Sequence, residues 1–381
     1  MKKALYVATV FIHLNTFHVP FMKMLQDKGY EVWAVAASSD IESKKNLEDM
    51  GIKCLEIPFS RSPFDFSNVK AYKTLKQLFR TEYFDLIHFH TPIAAFIGRM
   101  AAKNTDQGSI IYTAHGFHFY KGAPLKNWII YYLLEKMASK LTDAIITINK
   151  EDYEFAKKHF QSKRTSVYYV HGVGIDLTKF DLSAQNVRTE YRKKFSFDPE
   201  DFIIISIGEL NKNKNHIQLI RAMKIIEDPK IKCIIAGDGI LKKELEEEIV
   251  KNKMENKIFL LGYRKDIIQL LFMSDLLVSC SIREGLPKNV MEAMACGLPV
   301  IAANNRGHRD LIHNEENGML IKIGDSIGLK QSIEKLKNSK ELRLKMGEEN
   351  LKIIKNFSLK IAISEIEKIY QIVSKCKMTI V

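Results

Sequence analysis

Cysteine is scarce and scattered. The 381 residues hold five, at positions 54, 233, 280, 296 and 376, with no CxxC pair. An odd, widely spaced set builds neither a disulfide framework nor a cysteine zinc site, so these read as reduced thiols of a cytoplasmic protein. Long apolar runs are missing too. No window approaches the roughly 18 apolar residues that a spanning helix needs. The opening Met1-Lys2-Lys3 followed by Ala4–Ile12 is too short an apolar run for a leader. Polar His13, Asn15, His18 and Lys23 follow it without a clear cleavage site, so it reads as a buried first strand. No DxD occurs anywhere, and carboxylates are few near the histidines discussed below, so no metal is expected. The GxGxxG dinucleotide fingerprint is also absent, because Gly237-Asp238-Gly239 lacks its third glycine.

What is present is an excess of positive charge. Lys and Arg number 58 against 45 Asp and Glu, a formal net charge of +13. That balance calls for an anionic partner: nucleic acid, an acidic membrane surface or a phosphorylated substrate. The lysines are spread along helices and no nucleic-acid module is recognisable, which argues against nucleic acid. A composition of 46% hydrophobic and 27% charged residues suits a globular chain. At this length two domains are the default.

The pattern along the chain alternates strand and helix. Strands are expected at Lys3–Val10, Glu31–Ala37, Lys53–Ile57, Asp85–His90, Ile110–Thr113, Ala144–Ile148 and Ser166–Val170, with helices between most of them. Phe11–Thr16 is expected to be a glycine-free loop. From His171 to Asp198 the chain is polar and aperiodic, and the alternation restarts at Phe202. This reads as an α/β protein of two doubly wound domains facing a cleft. The boundaries are 1–175 and 176–357, with a C-terminal helix over about 358–381 free to pack back on the first domain. Every unusual loop falls at a strand's carboxyl end, where such sheets bind ligands.

One stretch carries most of the chemistry. Arg283-Glu284-Gly285-Leu286-Pro287 follows an apolar strand and opens a helix that runs to Met294 and stops near Gly297. Helix N-termini present unpaired N–H groups, so this is an anion site, with phosphate the natural ligand. Glu284 and Glu292 would lie ~80° apart around a helix and ~12 Å along it, so one ligand touches both only by lying along the helix start. The bland reading of Glu292 is a helix-surface charge. Gly208 through His216, with Lys212 and Lys214, also joins a strand to a helix. It is either a diphosphate loop or a solvated polar turn. His115 and His118 sit in a strand-end loop and are candidates for catalysis.

Together these motifs resemble a family 4 retaining glycosyltransferase of GT-B architecture. The resemblance rests on Glu284-x7-Glu292 within Glu284-Gly285-Leu286-Pro287 and Glu292 to Val300, supported by Gly237-Asp238-Gly239, Gly262-Tyr263, Ser274-Asp275, His171 to Asp176 and Asn317-Gly318. It implies a donor site in which Lys214, Gly208 and the backbone of Gly285, Leu286 and Pro287 hold a diphosphate. Glu284 would meet the donor sugar, Glu292 the ribose, and Tyr263 and Arg264 the base. His115 would stand near the reacting sugar. Many family members carry arginine after the loop glycine, where this chain has Glu209. Lys212, Arg283, Arg306 or Arg309 would have to replace it.

Phe17 to Pro20, Thr113 to Phe119 and Arg306 to Ile312 resemble the capsular and exopolysaccharide branch. That branch implies a UDP-sugar donor (an N-acetylated hexosamine or deoxyhexosamine such as N-acetylfucosamine), no cofactor or metal, and an undecaprenyl-diphosphate-linked sugar acceptor bound near His18. A lipid-linked acceptor implies a peripheral place on the inner face of the cell membrane. Lys121, Lys126 and Trp128 begin a stretch suited to an anionic membrane, or equally to a core-facing helix. A non-hydrolysing UDP-sugar epimerase and a silent scaffold of a polysaccharide-synthesis complex are the rival readings.

Overall fold

A computed structural model describes residues 1–37, 40–103, 105–180 and 184–378. The chain forms two compact units, Met1–Gly174 with Lys360–Val381, and Ile175–Leu359.

The first unit is built on a seven-stranded sheet: β1 (Lys3–Val10), β2 (Glu31–Ala37), β3 (Lys53–Glu56), β4 (Leu86–His90), β5 (Ser109–Ala114), β6 (Ala144–Thr147) and β7 (Ser166–Tyr169). Their spatial order is β3-β2-β1-β4-β5-β6-β7, and every pairing is parallel. Residues of β4 and β5 are buried along their whole length, as expected for strands covered on both faces. The order reverses between β1 and β4, which makes the carboxyl ends of those strands the switch point of the sheet.

The last helix, Leu359–Met378, belongs to this unit from Lys360 onward. It is tied down by named contacts. The Tyr370 and Tyr6 hydroxyls lie 2.6 Å apart, Lys28 pairs with Glu367 at 2.6 Å, and Glu365 accepts from both the backbone and the ring of His171. Beneath the sheet, Arg99 and Glu135 form a buried ion pair at 2.8 Å, and the Tyr112 hydroxyl donates to the same carboxylate at 2.7 Å. Positions 379–381, the end of the expected helix, lie outside the described residues.

The second unit carries a six-stranded parallel sheet: β8 (Phe202–Ile207), β9 (Ile231–Ala236), β10 (Ile258–Gly262), β11 (Leu276–Ser279), β12 (Val300–Ala303) and β13 (Gly318–Ile321), in the order β10-β9-β8-β11-β12-β13. Its two cores lie on opposite faces of the sheet. Ile204, Cys233, Ile235 and Val278 line one, and Ile203, Ile205, Ile234 and Leu277 line the other. The switch point here falls between β8 and β11.

Three segments depart from expectation. Phe11–Phe17 is a helix, not a loop. Val10 is extended at its N-cap, so the chain turns out of β1 without glycine, and Phe11 and Leu14 bury its inner face. Ile41–Asp49 is a helix that sequence pattern does not betray, since only Ser43 and Leu47 are buried; Asp40 caps it by accepting from the Ser43 amide. The supposedly aperiodic linker contains the helix Ala184–Lys194. That helix is held by arginines rather than by an apolar stripe. Arg188 and Arg192 donate to the carbonyls of Ser274 and Met273, at the end of the helix Ile267–Met273, and both pair with Asp275. Residues 181–183 of the linker lie outside the described residues.

Candidate active site

In the second unit the loops after β8 and β11 meet at the switch point. Asn213 is the clasp. Its carbonyl accepts from the Ile282 amide at 2.8 Å, and its side chain donates to the Arg283 carbonyl at 3.0 Å. The next residue, Lys214, is thereby aimed at Glu284, and the ammonium lies 2.7 Å from Glu284 Oε1. Asn211 fixes the lysine backbone by accepting from its amide. Asn215 then takes a left-handed conformation (φ 53°), which turns the loop into the helix His216–Ile225.

Glu284 is largely buried, and burial alone would push its carboxyl pKa up. The Lys214 ammonium, with the field of His308 and hydrogen bonds from Lys214 and Ser281, outweighs that and holds it below the ordinary carboxylate value. His308 is itself kept below its usual range by burial. His308 has a structural task. Its Nδ1 donates to the Ala303 carbonyl at 2.6 Å, which leaves Nε2 to accept from the Ser279 hydroxyl.

Two glycines allow this crowding. A Cβ at Gly237 would sit 1.9 Å from the Gly208 carbonyl oxygen, and one at Gly307 would sit 2.8 Å from the Gly285 carbonyl oxygen and 2.9 Å from Glu284 Cβ. Gly237 therefore lets the β8 and β9 turns touch. Gly307 lets the short helix Arg306–Leu311 back directly onto Glu284. Arg306 in that helix is buried, and its Nε lies 3.4 Å from the Glu284 carbonyl oxygen.

The helix Lys288–Ala295 starts just beyond. Pro287 is its N-cap rather than its first residue, and no side chain of the described residues caps it. Glu292 lies one turn into this helix, partly buried, with Lys288 3.5 Å away. Its carboxyl is raised above the ordinary value, because burial exceeds the pull of Lys288 and Lys179.

In the first unit a second cluster forms at the β1/β4 switch point. His13 and His18 lie on and just after the helix that follows β1, His90 ends β4, and His115 follows β5. One ring nitrogen of each lies within 4.8 Å of those of the other three. His13 and His18 approach to 3.3 Å, and so do His90 and His115. Behind them His88 contacts the Tyr370 hydroxyl at 2.6 Å and the Thr113 hydroxyl at 2.7 Å.

The chain matches the description "Glycosyl transferases group 1" over residues 187–353 and "Glycosyl transferase 4-like" over residues 3–149. EpsD of Bacillus subtilis (strain 168) is 39% identical over 373 residues, which span 97% of this chain and 96% of EpsD. The chain belongs to the family 4 glycosyltransferases.

An Escherichia coli relative, the UDP-Gal:alpha-D-GlcNAc-diphosphoundecaprenol alpha-1,3-galactosyltransferase, is 29% identical over 308 residues, 80% of this glycosyltransferase and 79% of that enzyme. Among solved structures, Anabaena HepE in complex with UDP-glucose has the same fold, with a TM-score of 0.80 at 20% identity over all of both chains. The two parallel-sheet units of this glycosyltransferase are those of GT-B.

The remaining sequence candidates scatter. Lys212 and Glu209 are exposed on the β8 loop. Tyr263 is 74% exposed. Arg264 is engaged by Asp266, with contacts at 2.5 and 2.8 Å. Arg309 donates to the Asn304 side chain. His118 stacks on Tyr131 at 4.6 Å, outside the four-histidine group. His18 is buried within that group.

Trp128 packs inward beside Phe119 and Phe155, while Lys121 and Lys126 are exposed nearby. The outward residues of that stretch are Leu125, Ile129, Leu133 and Met137, all more than half exposed. Sequence reading missed His13 and His90, because a lone histidine on an apolar segment carries no signal of its partners. It also overlooked Asn213, whose clasping role exists only once β8 and β11 are neighbours.

Proposed function

We propose that this glycosyltransferase moves a sugar, with retention of anomeric configuration, from a UDP-sugar to a sugar borne on a polyprenyl diphosphate in capsule or exopolysaccharide synthesis. The observation that carries the reading is the Lys214–Glu284 pair at 2.7 Å, set at the sheet switch point beside the uncapped start of the helix Lys288–Ala295. A departing nucleoside diphosphate develops negative charge. A lysine and a helix terminus worth about half a positive charge are already aimed where it would appear. Glu284, ionised and pinned by Lys214, would accept hydrogen bonds from the donor sugar hydroxyls. Glu292, further along the same helix start, would accept from the ribose. Arg306 takes the role of the arginine that Glu209 replaces: it is buried against the Glu284 backbone, whereas Lys212 points into solvent.

The acceptor class is supported by the E. coli relative, whose name specifies a diphosphoundecaprenol sugar. No described helix is long and apolar enough to cross a membrane. A lipid-borne acceptor is then met at the membrane surface. Leu125, Ile129, Leu133 and Met137 recur at every fourth position, and the π-helical turn Trp128–Tyr132 adds a residue that keeps the stripe in line. With Lys121 and Lys126 beside it, the stripe suits an anionic membrane.

Thermal unfolding with a panel of UDP-sugars, N-acetylated ones included, tests the donor site. Protection by UDP and at least one UDP-sugar, lost in Lys214→Ala, is expected. Protection undiminished by that substitution would move the diphosphate elsewhere.

A further inference from the structure

We propose that His13, His18, His90 and His115 form a binding site for a divalent cation of zinc type. The four imidazoles converge from the segments at or just beyond the carboxyl ends of three neighbouring parallel strands, β1, β4 and β5, at the switch point where such sheets take ligands. Donor atoms around a tetrahedral zinc ion, with bonds of about 2.0–2.1 Å, stand roughly 3.4 Å apart. The His13–His18 and His90–His115 nitrogen pairs already stand 3.3 Å apart, and the full set lies within 4.8 Å. The stacked His18 and His90 rings, 3.7 Å between centroids, would turn so that both lone pairs face the ion.

A second observation points the same way. His90 is fully buried, yet its Nε2 has no hydrogen-bond partner among the described residues. A buried ring nitrogen without a partner is costly; this one is not the Nδ1 that faces His115, so the ion relieves it only where the His90 ring turns to present Nε2. The donor set selects the metal class. Four imidazoles with no carboxylate among them suit zinc, cobalt, nickel or copper, and do not suit magnesium or calcium, which demand oxygen ligands. His88 packs against His90 at 4.1 Å and is itself fixed by Tyr370 and Thr113. A small cavity lined by His18, His88, Thr113 and His115 adjoins the cluster.

The experiment is titration calorimetry on the full, untagged, chelator-treated protein with zinc, cobalt and magnesium salts, in the absence of any sugar nucleotide. One zinc per chain, a rise of several degrees in unfolding temperature and no response to magnesium are expected. Cobalt should give the intense visible bands of four-coordinate nitrogen ligation. His13→Gln, at a partly exposed position where the fold is safe, should weaken zinc binding at least tenfold with an unchanged circular dichroism spectrum. His115→Gln should do the same. Absence of stoichiometric zinc binding, or one zinc bound equally well by both variants, would overturn the site.

Discussion

Lys214 Nζ stands 2.7 Å from Glu284 Oε1, although 70 residues separate them in sequence. The contact is made by two loops from adjacent strands, each locked to the other through Asn213. Replacing Glu284 with alanine should therefore cost transfer activity about 10²- to 10³-fold, the scale for losing one well-placed polar group, while circular dichroism shows an intact fold. The pair also predicts a pH dependence. Glu284 has its pKa lowered by folding, so its stabilising share is present above the ordinary value of 4.5 and fades as pH falls from there through the depressed value. Chemical denaturation of wild type and Glu284→Gln at neutral and acid pH should show a gap that closes on acidification. A gap that widened in acid would contradict the assignment.

Arg306 is buried with its guanidinium against the Glu284 backbone. If it substitutes for the arginine missing at position 209, Arg306→Lys should weaken UDP binding roughly tenfold, because lysine keeps the charge but loses the planar fork. Calorimetric UDP titration reads this directly. Glu209→Arg should leave affinity the same or raise it.

Tyr370 joins the last helix to the first sheet. Its hydroxyl is 2.6 Å from the Tyr6 hydroxyl and 2.6 Å from His88 Nδ1. Tyr370→Phe strands two buried polar groups, which costs about 1–3 kcal/mol. Urea unfolding should show that loss, with little change in the dependence on UDP concentration.

The stripe Leu125, Ile129, Leu133 and Met137 is exposed beside Lys121 and Lys126. Flotation with vesicles should show binding that rises with anionic lipid and falls several-fold in Ile129→Asp and Leu133→Asp. Equal binding to neutral and anionic vesicles would remove the electrostatic part of the account.

The strand, turn and helix start around Glu284 were legible because those residues are contiguous. Arg283 to Pro287 is at once a strand end, a turn and a helix start, and the distance from Glu284 to Glu292 can be read by counting. The alternation of buried strands and helices likewise announced the parallel sheets. What stayed hidden depends on contacts distant in sequence. Helix Ile41–Asp49 shows almost no apolar face, and Ala184–Lys194 is anchored by Arg188 and Arg192 on backbone carbonyls and Asp275, a pattern that hydrophobic periodicity does not register. The four histidines come from three strand ends, so only the order of β1, β4 and β5 reveals them as a group.

The most direct measurement is a transfer assay with a UDP-sugar panel and a short polyprenyl-diphosphate-linked acceptor sugar, with the product anomer read by NMR. The expected result is acceptor-dependent transfer that keeps the donor's anomeric configuration in wild type and collapses in Glu284→Ala and Lys214→Ala. Turnover of the UDP-sugar into an isomer without acceptor, an inverted linkage, or full transfer by both variants would contradict it.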